Sequence, residues 1–354
     1  MASSNRIERI RNILVEKNID ALLIADDKNI FYFTEFPWGF RLLIPAEGEN
    51  ILFVPSVNYE AAKEKSRNVR VELIKIDEKA SGKILSEISK RKIKSLGFDR
   101  LSATEYLKIK SKLKDLELKS LQEDIWSLRK IKDESELALI KKAAELTSQG
   151  MKRALEVIKP GLIEREAIAE IEYEMRKRGS SGVAFETIVC SGPESAYPHG
   201  GLGEREIKDG DFVVVDLGAK YRGYCADMTR TLIVGEPSKR QLHMYEAVKE
   251  AQKIAISRIR SNIKAREVDQ VARKYIEEKG YGKYFVHSLG HGVGLDVHEP
   301  PTLGPLSDEI LSSGNVVTVE PGIYIPGFGG VRIEDTVLIH ENKAIKLTDT
   351  GNRG

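Results

Sequence analysis

The chain has 354 residues, 41% of them hydrophobic and 31% charged, enough for two domains and a sizeable buried core. Its 56 Lys and Arg nearly cancel 54 Asp and Glu, and a formal charge of +2 gives no electrostatic basis for a nucleic-acid or anionic-membrane partner. No run of about 20 apolar residues offers a membrane span. The start, Met1-Ala2-Ser3-Ser4-Asn5-Arg6, leads into an amphipathic pattern rather than the apolar core of a signal peptide. Two cysteines, Cys190 and Cys225, cannot build a disulfide framework and fit a reducing, cytoplasmic setting.

The first 125 or so residues read as mixed α and β. Ile7, Ile10 and Leu14 recur at helical spacing, and Ala21-Leu22-Leu23-Ile24-Ala25 suits a buried strand. Leu42-Leu43-Ile44-Pro45 and Ile51-Leu52-Phe53-Val54-Pro55 read as two strands joined by the turn-rich Ala46-Glu47-Gly48-Glu49-Asn50. The Lys-rich stretch from Lys83 to Lys119 is interspersed with acids and Ser, the pattern of solvated helix faces. A division near residues 123–127 separates 1–125 from 126–354.

The second part opens with a helix. Asp133 with Glu136 forms a capping-box pattern, and Leu137, Ile140, Ala144, Thr147, Met151 and Leu155 make one face before Pro160-Gly161. A second helix carries Ile168, Ile171 and Met175 and ends at Gly179. Later helices are predicted after Ser238, paired with Gln241, and around Val268, Val271 and Tyr275, ending at Gly280. Of 29 glycines, 23 lie in residues 179–354, and so do all six histidines. Close backbone approach and imidazole chemistry are therefore concentrated there. His243, on an amphipathic helix, and His340, at a strand end, read as structural or solvated.

Two segments of this part resemble each other. Val213-Val214-Val215-Asp216-Leu217-Gly218 leads through Tyr221-Arg222-Gly223 to Asp227-Met228-Thr229. Val317-Thr318-Val319-Glu320-Pro321-Gly322 leads through Gly327 to Glu334-Asp335-Thr336. Each reads as a hairpin with its carboxylates symmetric about the tip, at Tyr221-Arg222 and at Gly327, which predicts acids facing each other about 5 Å apart at Cα. Like charges that close repel unless a cation lies between them. If the hairpins pack face to face, four carboxylates converge. Gly290-His291-Gly292 supplies an imidazole where backbone can approach a ligand, with His287 and His298 nearby and His199 in a Pro/Gly turn. Either hairpin or the Gly-His-Gly segment alone is ordinary on a protein surface. Together they suit a pair of divalent ions, with Mn, Co, Zn and Fe all open, and point to a dinuclear metal hydrolase.

The set Asp216, Asp227, His291, Glu320 and Glu334, with Pro198-His199-Gly200, Val297-His298-Glu299, Glu320-Pro321-Gly322 and Arg332-Ile333-Glu334-Asp335, resembles the Xaa-Pro peptidases, prolidase and aminopeptidase P. The wider group includes methionine aminopeptidase and creatinase. The similarity spans essentially the whole chain, and all five metal-ligand positions are filled. It implies an α/β (α+β) chain: a creatinase-like N-terminal domain over 1–125, including Tyr32-Phe33-Thr34-Glu35-Phe36, and a "pita-bread" catalytic domain over 126–354 whose pseudo-two-fold halves explain the repeated hairpins. It further implies two divalent metal ions, Mn or Co ahead of Zn or Fe. Asp216 would hold one, His291 with Glu320 the other, and Asp227 and Glu334 both. Glu320 would act as acid/base, His199 and His298 would contact substrate and oxyanion, and Arg332 would orient the carboxylates. Phe185 and Tyr324 are candidate apolar walls for the proline ring.

One departure bears on specificity. After Val297-His298-Glu299 the chain reads Pro300-Pro301-Thr302, where many prolidases place an arginine for the dipeptide carboxylate; Arg41 is a possible substitute. The leading expectation is an Xaa-Pro dipeptidase acting on proline-containing peptides as a cytoplasmic homodimer. Aminopeptidase P, methionine aminopeptidase and a non-catalytic peptide-binding homologue follow in that order. The intact ligand set argues against creatinase.

Overall fold

The computed structural model describes residues 2–201 and 203–351, and the chain divides into two compact units, Met1–Arg129 and Lys130–Gly354. The expected division after residue 125 falls within the helix Gln122–Lys130. That helix stays with the first unit because Ile125 and Leu128 are buried and the Arg129 guanidinium donates to Asn29 Oδ1 at 2.9 Å. No helix among the described residues is long and apolar enough to cross a membrane.

The first unit is built on a six-stranded mixed sheet in the order Arg70–Ile74, Ile51–Pro55, Arg41–Pro45, Ala21–Ile24, Ser95–Phe98, Glu117–Ser120. The two predicted strands pair antiparallel, Leu42 opposite Leu52 and Leu43 opposite Ile51. The amphipathic start is the helix Ala2–Glu16, with Ile7, Ile10 and Leu14 buried; Met1 lies outside the described residues. The Lys-rich stretch holds the helices Ala80–Lys90 and Ala103–Lys112, which turn Ile84, Ile88 and Ile109 inward.

The second unit uses one arrangement twice. In its first half the helices Glu134–Val157 and Glu164–Lys177 pack Met151, Ala154, Ile171 and Met175 onto Val213, Val215 and Leu217 of the sheet Met228–Ile233, Phe212–Leu217, Ile188–Ser191. In its second half the helices Lys239–Arg258 and Ala265–Glu278 pack Met244, Val248, Val268 and Ala272 onto Val317, Val319 and Val337. Those valines belong to the sheet Glu299–Leu303, Gly290–Gly292, Val316–Val319, Asp335–His340, Lys343–Lys346. Both predicted capping boxes form: Asp133 with Glu136, and Ser238 with Gln241.

The hairpin registers differ from each other. In the second, Val319 pairs with Asp335 and Gly322 with Arg332, so Glu320 and Glu334 face each other across the break between two ladders, as expected. In the first, Asp216 pairs with Thr229, so the expected opposition of Asp216 and Asp227 is corrected to a diagonal on one face. The cause is the turn. Tyr221 pairs with Tyr224, placing the two-residue tip at Arg222-Gly223, where φ is 47° and 90°. Positive φ at both positions is the type I′ form of a two-residue tip, one of those that match the strand twist, and Gly223 supplies one of them at no steric cost.

The start of the second unit is tied to its sheet by a buried ion pair. Lys132 Nζ lies 2.7 Å from Glu299 Oε1, with each side chain 1% exposed. Replacing Lys132 takes a charged partner away from the buried Glu299 carboxylate. Lys132→Met is therefore expected to lower unfolding stability by about 3–5 kcal/mol. Urea unfolding measures this, and a loss below about 1 kcal/mol would contradict it.

Candidate active site and metal centre

The two hairpins meet edge to edge through threonines. Glu334 N donates to Thr229 O at 3.0 Å, and Thr229 Oγ1 donates to Glu334 Oε2 at 2.6 Å. The pseudo-symmetric counterpart is present: Asp227 N donates to Thr336 Oγ1 at 3.1 Å, and Thr336 Oγ1 donates to Asp227 O at 2.8 Å. This reciprocal stitching fixes the Asp227 and Glu334 backbones side by side. Neither threonine's role was anticipated, although both occupy the same place in the repeat.

His291 enters from Gly290–Gly292. A Cβ at Gly290 would lie 2.1 Å from Thr318 O and one at Gly292 2.4 Å from Pro300 O, so no side chain fits on either side of it. His291 N donates to Thr318 Oγ1 at 3.0 Å, and that hydroxyl donates to Glu320 Oε1 at 3.1 Å, aligning the two predicted ligands. His291 Nδ1 is 3.1 Å from Gly292 O, a group that only accepts, so Nδ1 carries the proton. Nε2 faces Glu320 Oε1, 3.3 Å away, and Asp227 Oδ2, 3.7 Å away, so it donates to the carboxylates while protonated and turns a lone pair to the site once that proton leaves.

Asp227, His291 and Glu334 each present one donor atom, all within 4.8 Å of one another. Asp216 Oδ1, Asp227 Oδ1 and Glu334 Oε1 are buried with no hydrogen-bond partner. Burial, then the neighbouring carboxylates, push the Asp227 and Glu334 carboxyls well above the usual range. Burial would also raise Glu320, but the hydrogen bond and charge of His291 win and hold it at about 2. His291 is raised in turn, since Glu320 outweighs the cost of burying an imidazolium. The site thus retains protons where cations would serve. Orphaned oxygens, mutual repulsion and an imidazole whose Nδ1 is held by Gly292 O, so that Nε2 is the nitrogen a cation would take, are the donor set a divalent ion fits.

Among the described residues, Arg332 is the one guanidinium lining this site. It is 3% exposed, and Nη2 donates to Asp216 Oδ2 at 2.6 Å, Nε to Thr229 Oγ1 at 3.1 Å, and Nη1 to Tyr324 Oη at 2.8 Å and Pro198 O at 3.2 Å. It therefore joins Asp216 to the turn that carries His199. Tyr324 is corrected as an apolar wall: it is 4% exposed and does not line the cleft. His287 Nδ1, 2.7 Å from Ser288 O, must donate, so His287 Nε2 accepts from the Tyr324 hydroxyl at 3.0 Å. That hydroxyl in turn accepts from Arg332. Burial draws Tyr324 inward and pushes its pKa up to about 12.

The remaining predicted residues share one cleft of about 620 Å³. Its lining includes Asp216, Asp227, His291, Glu320, Glu334, His199, His298, Arg332, Phe185 and Thr302. His199 and His298 are exposed to it, and the His298 ring lies 4.2 Å from that of His291. Phe185 is half-buried, and Ile188 and the exposed Val286, not anticipated, extend the apolar wall. Arg41 lies in the first unit, where its Nη2 pairs with Glu105 Oε1 at 2.5 Å.

Comparison with known proteins follows the same division. Residues 138–341 match the model of metallopeptidase family M24, and residues 6–131 match the creatinase/prolidase N-terminal domain. The Xaa-Pro dipeptidase of Pyrococcus furiosus is 44% identical over 349 residues, 98% of each chain. The crystal structure of the prolidase from Pyrococcus horikoshii is similar at TM-score 0.92 and 42% identity over 98% of each chain. That of an X-Pro aminopeptidase from Thermotoga maritima is similar at TM-score 0.87 and 36% identity, over 94% of this chain and 96% of the other.

Proposed function

Because the chain belongs to metallopeptidase family M24 and carries a creatinase/prolidase N-terminal domain, we propose that it hydrolyses the Xaa-Pro bond as a dipeptidase. The observation that carries the reading is the convergence of four carboxylates, His291 and two exposed histidines on one cleft. Asp216 would hold one divalent ion, His291 and Glu320 a second, and Asp227 and Glu334 both. The donor set leaves Mn, Co, Zn and Fe open, and the family resemblance puts Mn or Co first. Ions so bound supply a lowered water pKa and a polarised carbonyl.

The chain's own groups do the rest. His199 and His298 face the cleft and donate to the oxygen that gains charge in the transition state. Glu320 takes a proton and delivers it to the prolyl nitrogen, which as a tertiary amide has no N–H of its own. Phe185 offers an apolar surface to the ring. Arg332 neutralises Asp216 from behind and keeps the His199 turn in place. The protein is read as a cytoplasmic homodimer, the compartment from a cysteine count of two, too low for a disulfide framework, and the assembly from its family resemblance.

One observation favours a second reading. Thr302 stands in the cleft where an arginine would take a dipeptide's carboxylate, and the lining guanidinium, Arg332, is already bound to Asp216. Longer Xaa-Pro-Yaa peptides would then be accepted, as by an aminopeptidase P. Thr302→Arg is expected to shift relative kcat/KM toward the dipeptide by about tenfold or more, the scale of one charge-assisted contact. An unchanged ratio would remove Thr302 from specificity. The reading as a whole is tested by offering the metal-loaded enzyme an Xaa-Pro dipeptide, an Xaa-Pro-Yaa tripeptide and a Met-Ala-Ser peptide together. Dipeptide cleavage supports it, and tripeptide cleavage moves it to the second reading. Cleavage of Met-Ala-Ser alone, or of nothing, overturns it.

A further inference from the structure

Successive residues of a strand face opposite ways. Arg332 and Glu334 line the catalytic cleft; their alternates Ile333 and Asp335 line a separate cavity of about 510 Å³. The helix Lys239–Arg258 closes it with Tyr245, Lys249, Gln252, Lys253 and Ile256, which fall on one helix face. Four cations, Arg230, Lys249, Lys253 and Lys346, line it against two acids, Asp335 and Asp349.

The floor acid is already satisfied. Asp335 receives Arg230 Nη2 at 2.9 Å, Lys346 Nζ at 2.7 Å, Gln252 Nε2 at 3.1 Å and Thr348 Oγ1 at 2.9 Å. Arg230 Nη1 donates to Glu334 O at 2.6 Å and Thr229 O at 2.9 Å, which leaves its Nε–H and one Nη2–H for another acceptor. Among the described residues no carboxylate pairs with Lys249, and Lys253 reaches only the exposed Glu250, at 3.5 Å. Tyr245, Ile256 and Ile333 give the same cavity an apolar side.

We propose that this cavity binds a phosphate-bearing anion, and that the bound anion acts on the catalytic cleft through Arg230, whose guanidinium holds the Glu334 backbone. The phosphate group could be free or part of a nucleotide; the shared chemistry is a multivalent oxyanion among cations.

The test uses the metal-loaded enzyme at low ionic strength, with equilibrium dialysis of radiolabelled inorganic phosphate and of ADP, and metal content checked afterwards. The exposed lysines of Lys249→Ala/Lys253→Ala lie outside the catalytic residues, so anion-free hydrolysis is expected to be unchanged in that double variant. Saturable binding is expected in the parent and about tenfold or more weaker binding in the variant. Tighter binding of ADP than of phosphate identifies a nucleotide as the source; the reverse identifies free phosphate. Binding unchanged by the double substitution places the anion elsewhere, the metal centre included, and overturns the site. So does the absence of saturable binding at millimolar anion. Hydrolysis that is unaffected by saturating anion in the parent overturns the link through Arg230.

Discussion

Asp227→Asn is expected to abolish peptide cleavage while making the metal-free protein more stable. Asp227 is buried, with Oδ1 unpartnered, among Glu334, Asp216 and Glu320. In the proposed role of shared ligand, its substitution removes a full negative charge from both proposed metal positions, so bound metal and activity are expected to fall together. The expected fall in kcat/KM is at least about 10³-fold, some 4 kcal/mol of barrier. Stability moves the other way. Burial and like charge raise the folded-state pKa of this carboxyl, so the folded chain keeps a proton that the unfolded chain releases in the ordinary carboxylate range. Below that range the group costs nothing; as pH rises through the raised value the cost becomes complete. Asparagine does not ionise and escapes it. The metal-free variant should therefore melt higher than its parent at pH 8, with the gap closing towards pH 4. Retained metal and activity, or a lower melting temperature at pH 8, would contradict the placement of Asp227.

His199→Ala is expected to retain metal and stability but lose turnover. The side chain is exposed to the cleft and lies on a turn that Arg332 holds through Pro198 O, so its removal disturbs neither the fold nor the carboxylates. What is lost is the proposed donor to the developing oxyanion, a kind of contact whose removal typically lowers kcat about 10²–10³-fold. The informative result is the split: metal content unchanged, kcat reduced, KM little moved. A fall below about tenfold, or loss of metal with loss of activity, would refute the assignment.

Much of the site was legible in the sequence because its signals are local or repeated. Capping pairs such as Asp133 with Glu136 depend on residues three apart, and they formed as read. The carboxylates of the second hairpin are symmetric about Gly327 and do face each other. The first hairpin shows the limit of that inference. Symmetry of two acids about Tyr221-Arg222 is not the same as strand register, which the positive-φ pair Arg222-Gly223 sets one residue further on. Tyr324 shows another limit. Its residue type was compatible with an apolar wall for a proline ring, but Arg332 and His287 both engage its hydroxyl and hold it inside. The stitching of Thr229 to Glu334 and of Thr336 to Asp227 joins residues more than 100 apart, and no local pattern announces it.

The most direct measurement titrates metal-free enzyme with Mn or Co while following bound metal and Xaa-Pro dipeptide hydrolysis in the same samples. The proposed dinuclear peptidase predicts no cleavage without metal and a plateau of activity when two ions are bound per chain. Full activity without metal, a plateau at one ion, or a protein that binds two ions and cleaves no Xaa-Pro bond would contradict it.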